Sequence, residues 1–121
     1  LDKVRSEGVF RVGLIAPVGG GDPPVATLLA SLGETTGARP ELSSGEAETL
    51  LKRLEEGELE LVVGRFDKKS LWASAVTIGP SLRVAHEGKR EIRLAPAMRN
   101  GENGWIVLVE RSARDIAARG R

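Results

Sequence analysis

The sequence has no cysteine, no tyrosine and a single histidine, and aromatic residues make up 3% of its 121 positions. Without cysteine there are no disulfides, no thiolate metal sites and no cysteine nucleophile, a lack that fits any compartment. So few rings argue against an aromatic-lined sugar groove, a base-stacking platform or an interface anchored on Tyr and Trp. No run approaches the roughly 18 apolar residues of a membrane span. Charge of one sign is missing too: 18 Lys and Arg face 17 Asp and Glu, a net of +1. That balance excludes broad electrostatic capture of nucleic acid, and no nucleic-acid partner is expected. The lone His86 sits beside Glu87 with no second metal ligand or catalytic partner signalled nearby. No Gly-x-Ser-x-Gly elbow and no Ser–His–Asp order is present. No metal, no cofactor and no enzymatic activity are therefore expected.

What remains is an ordinary globular composition, 40% hydrophobic and 29% charged,. The length suits one domain over residues 1–121. It is too short for two full lobes with a cleft between them. The chain opens on Leu1 rather than Met, so a processed or excised piece is expected, with any signal peptide or anchor outside it,. Charge is unevenly placed. Residues 41–60 hold seven acids and two bases, whereas residues 65–121 hold twelve bases and six acids.

Residues 9–15 read as a strand apolar on both faces, which suits the interior of a parallel sheet. The loop Ala16-Pro-Val-Gly-Gly-Gly21 follows. Asp22 stands at an N-cap with Pro23 at the first helical position. Val25, Leu28, Leu29 and Leu32 make one helix face, and Gly37 closes the helix. Residues 38–42 form a short strand, and Ser43 with Glu46 has capping-box spacing. Ala47, Leu50, Leu51 and Leu54 repeat the helical stripe up to Gly57. Residues 59–63 give a third, central strand. The alternation of strand and helix predicts a βαβαβ half with right-handed crossovers. Beyond it, residues 74–78, 82–85, 91–95 and 105–110 read as short strands, and residues 112–119 as a weak terminal helix. Turn-rich links such as His86-Glu-Gly-Lys89 suit antiparallel neighbours.

The order of motifs resembles a known family. Leu1-Asp-Lys-Val-Arg-Ser-Glu-Gly-Val-Phe-Arg-Val-Gly-Leu14 is similar to the start of mature type-two periplasmic solute-binding proteins, the amino-acid-binding components of ABC importers. Ser44-Gly-Glu-Ala-Glu-Thr-Leu-Leu-Lys-Arg-Leu-Glu-Glu-Gly-Glu-Leu-Glu-Leu-Val-Val-Gly64 resembles that family's second helix, its stopping Gly and the next central strand, with Glu60 where the family usually has Asp. Asn103-Gly-Trp-Ile-Val-Leu-Val-Glu110 resembles a late return segment. The resemblance implies a three-layer open α/β sheet, parallel in its first half and mixed in its second, forming one lobe. Family members run to roughly twice this length. Their second lobe is inserted at the junction that here is only His86-Glu-Gly-Lys89.

The implied function is solute recognition without catalysis, outside the cytoplasmic membrane in the periplasm or an equivalent space, with a membrane tether outside this stretch. The ligand is a small polar solute met by the loops that follow the first and central strands. The candidate ligand-binding residues are Gly19, Gly20 and Asp22 in the first loop, and Arg65, Asp67 and Lys68 in the second. The glycines before a helix suit an anion, although Asp22 repels phosphate and no P-loop pattern follows. The family's Thr and Arg that grip a ligand carboxylate are missing from Arg65-Phe-Asp-Lys-Lys-Ser-Leu71, so Arg65 inherits no role. Half a cleft implies weak or absent affinity for free amino acids. The alternative is a protein-interaction or assembly module that keeps the fold and pairs with itself or with a membrane protein. Trp72 and Trp105 are expected in the core or at a lobe edge.

Overall fold

The computed structural model describes residues 1–67 and 75–119. Helix α1 (Asp2–Glu7) ends at Gly8, whose φ of 71° takes the left-handed turn into strand β1 (Val9–Ile15). Helix α2 (Pro23–Thr36) begins at the expected Asp22 and Pro23 and closes on Gly37, whose N–H donates to the Gly33 carbonyl at 2.8 Å. Strand β2 (Arg39–Gly45), helix α3 (Ala47–Glu55) and strand β3 (Leu61–Asp67) complete the βαβαβ half. Then come β4 (Val76–Ile78), β5 (Arg83–Glu87), β6 (Arg90–Arg99) and α4 (Asn103–Arg119).

The strands form one sheet in the order β2-β1-β3-β6-β4, with β5 also paired to β6. β1 runs parallel to β2 and β3, whereas β6 is antiparallel to β3, β4 and β5. The expected parallel-then-mixed sheet is therefore present. β3 takes the central place its apolar run Leu61-Val62-Val63 demands.

Helices cover both faces. On one face, Val25, Leu28 and Leu32 of α2 and Trp105 and Val109 of α4 pack on Phe10, Val12, Leu61 and Val63. On the other, Leu50, Leu51 and Leu54 of α3 pack on Val62, Phe66, Ala95 and Ala97. The pleat sends Val62 to one core and Val63 to the other.

Several expectations fail. Residues 105–110 are helical, not a strand, and residues 112–119 continue that same helix. Trp105, Val109, Ser112, Ala113 and Ile116 are its buried stripe. Packing of that stripe against α2 overrides the β propensity of Trp-Ile-Val-Leu-Val. Ser43 and Glu46 form no capping box, because β2 extends beyond residue 42 to Gly45 and pairs Ser43 with Gly13. The Ser43 hydroxyl instead lies 3.5 Å from the Val12 carbonyl. β3 spans Leu61–Asp67, later than residues 59–63, because the long β6 supplies ladder partners as far as Ile92. β4 begins at Val76, and residue 74 lies outside the described residues.

Glu60 enters β3 as a structural clamp. Its N–H donates to the Arg11 carbonyl at 2.9 Å, and its carboxylate accepts from the Arg11 N–H and Nε at 3.1 and 3.2 Å. Its carbonyl accepts from Trp105 Nε1 at 2.7 Å. The bonded Glu60 carboxylate raises the Arg11 pKa above its ordinary value, against the opposing pull of burial,. Trp105 is thus a core residue, tilted 57° against Phe10 with ring centroids 5.7 Å apart. Trp72 lies outside the described residues.

Candidate functional site

Ligand crevices in open α/β sheets lie at the carboxyl ends of strands where the winding reverses. Here the chain leaves β1 through α2 toward β2, then crosses through α3 to β3 on the other side of β1. The reversal lies at the carboxyl ends of β1 and β3. A cavity of about 230 Å³ opens there, lined by Pro17, Val18 and Asp22 after β1, Arg65 of β3, Arg83 and Ala85 of β5, and Ile92 and Leu94 of β6.

Register explains why these side chains converge. Arg65 and Arg83 are both ladder partners of Leu94, from opposite sides. Directly opposed residues share a face of a sheet, so the two guanidiniums flank Leu94 on the α2 side. Asp67, Ile92 and Ala85 form the next row on that face. The floor is apolar and the rim carries two cations and one carboxylate. Close packing fixes the strand ends. A Cβ added at Gly64 would stand 2.6 Å from Ile15 Cδ1.

The residues expected from the sequence divide. Asp22 and Arg65 line the cavity. Asp22 is the N-cap residue, yet its side chain does not cap α2. Its Oδ2 accepts from the Gly19 N–H at 3.3 Å, and its own N–H donates to the Gly19 carbonyl at 3.1 Å. That closes the glycine loop on itself. Gly19 and Gly20 are absent from the lining, and the face of Gly20 lies against Leu42, whose Cδ1 would be 2.8 Å from an added Cβ. Arg65 and Asp67 belong to β3, not to a loop. Lys68 lies outside the described residues. Sequence reasoning missed Arg83, whose signal was its place in Leu-Arg-Val-Ala, an alternation that puts it beside an apolar floor.

The hairpin joining β5 to β6 is tied to β3 by two ion pairs. Arg65 Nη2 donates to Glu87 Oε1, and Arg90 donates through Nε and Nη2 to Asp67 Oδ2 at 3.0 and 2.8 Å. Two of the expected ligand-binding charges are therefore engaged with the hairpin. Arg83 has no ion pair among the described residues.

No protein-family profile matches the sequence, and no curated protein sequence is significantly similar. Solved structures share the fold. The arginine-bound form of domain 1 from TmArgBP superposes with a TM-score of 0.77 at 15% identity, covering 95% of this chain and 98% of that one. The amino acid ABC transporter substrate-binding protein AbpA from Streptococcus pneumoniae, bound to L-arginine, gives 0.79 at 11% identity over 99% and 93%. The ancestral amino-acid-binding protein AncCDT-1, a precursor of cyclohexadienyl dehydratase, gives 0.77 at 10% over 98% and 93%. The fold is that of one lobe of a periplasmic binding protein, as the sequence resemblance implies.

Proposed function

We propose that this lobe recognises a small carboxylate-bearing solute, weakly and without catalysis, on the extracytoplasmic side of a membrane. The observation that carries this is the cavity at the winding reversal with Arg83 and Arg65 on its rim. The amino acids bound by the structural neighbours supply the solute class. Arg83, which has no ion pair among the described residues, favours an acidic or neutral amino acid over a cationic one,. Weakness follows from size and from competition. A volume of about 230 Å³ falls short of the roughly 300–1,000 Å³ of enclosing sites, and Glu87 already occupies Arg65. Among the described residues the lining carries one carboxylate, Asp22, and no histidine, which supports recognition over proton transfer,.

Titration calorimetry with L-glutamate and L-arginine tests this. Glutamate is expected to bind in the millimolar range and arginine more weakly. Glu87→Gln, which frees Arg65, is expected to tighten glutamate several-fold, and Arg83→Gln to abolish it. Micromolar binding by a monomer, or arginine preferred over glutamate, overturns the proposal.

One observation favours a second reading, an assembly module without ligand. The pairs Arg65–Glu87 and Asp67–Arg90 satisfy charges at the site from within. Under that reading glutamate gives no heat even with Glu87→Gln.

A further inference from the structure

The hairpin of β5 and β6 leaves an open sheet edge. Glu87 and Arg90 flank the two-residue turn Gly88-Lys89 as ladder partners, with Gly88 at φ 64°. In such a hairpin the flanking pair exchanges both backbone hydrogen bonds. Alternation then turns the N–H and C=O groups of Arg83, Ala85 and Glu87 toward β6, and those of Val84 and His86 outward. Among the described residues β5 pairs with β6 alone, and all five of its residues are exposed. Val84, 46% exposed, is with Leu42 and Val107 one of the three exposed large apolar side chains among the described residues.

A groove of about 1,100 Å³ lies beside this edge, walled by the first turn of α2, the segment 80–84 and the end of α4. Four arginines line it, Arg83, Arg93, Arg114 and Arg119, against the single acid Glu91. Glu91 is already paired to Arg93 at 2.9 Å. Arg83, Arg114 and Arg119 have no ion pair among the described residues.

We infer that the outer edge of β5 takes an extended, acidic segment of a partner protein as an added strand. Its backbone would pair with Val84 and His86, an apolar side chain would cover Val84, and its carboxylates would meet the unpaired arginines. Strand addition draws affinity from main-chain hydrogen bonds and specificity from alternate side chains. A second copy fits less well. Two such grooves brought together would oppose arginine to arginine, and like charges across an interface cost free energy. The inference shares Arg83 with the solute reading but adds the outward backbone of β5 with Arg114 and Arg119, which lie outside the cavity lining, so the two can fail separately.

The probe is a fluorescein-labelled octapeptide alternating Glu and Val, followed by anisotropy. Saturable binding is expected, weakened at least about tenfold by 0.5 M salt, as exposed charge pairs are screened. A Lys-Val peptide is expected not to bind. Val84→Pro removes an outward donor without breaking the ladder to β6, and should weaken binding at least about tenfold. The double variant R114E/R119E, on the exposed face of α4, should do the same and keeps the test valid if Val84→Pro does not fold. No binding at millimolar peptide overturns the inference, as does equal binding of a peptide methylated on every amide nitrogen. A dimer in sedimentation that R114E/R119E strengthens assigns the edge to a second copy and also overturns it.

Discussion

Glu60 shows how one residue locks three elements at the base of the sheet. Its backbone and carboxylate hold Arg11 on β1, and its carbonyl takes the indole N–H of Trp105 on α4. The role of Glu60 is therefore structural. The carboxylate reaches both the backbone N–H and the guanidinium of Arg11, part-buried contacts that strengthen a charge-assisted bond. Trp105→Phe keeps an aromatic ring near Phe10 but deletes the donor at 2.7 Å and leaves space where the larger ring was. The expected cost is about 2–4 kcal/mol, from the unpaired carbonyl and the void together. Urea unfolding of the variant against the parent measures it. A loss below about 1 kcal/mol would mean that the indole bond is replaced by water.

The elements read most clearly from sequence were those whose period and boundaries agreed. α2 was legible because Asp22, Pro23, the stripe from Val25 to Leu32, and Gly37 all named the same helix. α4 was not, because Trp-Ile-Val-Leu-Val has strand-like composition and its helical stripe emerges only when Trp105 and Val109 are counted with Ala113 and Ile116. β3 was cut short because Arg65 and Asp67 are charged. Only the register with β6 shows that both belong to the strand, on the face that bears the cavity, with Arg65 in its lining. The cavity followed the same logic: Asp22 and Arg65 were found from their places after strands, whereas Arg83 required knowledge of which strand lies beside Leu94. The β5–β6 hairpin was legible from His86-Glu-Gly-Lys89. Gly88 has φ 64° with nothing within 4 Å of an added Cβ, so Gly88→Ala isolates backbone strain. It should cost about 1–2 kcal/mol, measured as a lowered urea midpoint at unchanged slope. A neutral result would show that the turn relaxes to another type.

For the whole molecule, two cores on opposite faces of one sheet raise the question of cooperativity. They are not separable, because β3 feeds both: Val63 belongs to the α2–α4 side and Val62 to the α3 side. β6 likewise gives Leu94 and Met98 to one core and Ala95 and Ala97 to the other. Melting either helical layer exposes the face of strands that the other layer needs in order to stay flat and paired. The lobe is therefore expected to unfold as one unit, the behaviour of a small domain with a shared sheet. Leu51, fully buried on α3, and Val109, fully buried on α4, probe this from opposite sides. Leu51→Ala should cost about 2–5 kcal/mol by loss of transfer free energy and an unfilled cavity. It should lower the transition of the Trp105 indole NMR signal, on the far side of the sheet, together with the far-ultraviolet circular dichroism. Val109→Ala should move both signals together as well, by a smaller amount because fewer carbon atoms are removed. If Leu51→Ala melts helical signal while Trp105 keeps its native shift, the two layers are independent and the shared strands do not couple them.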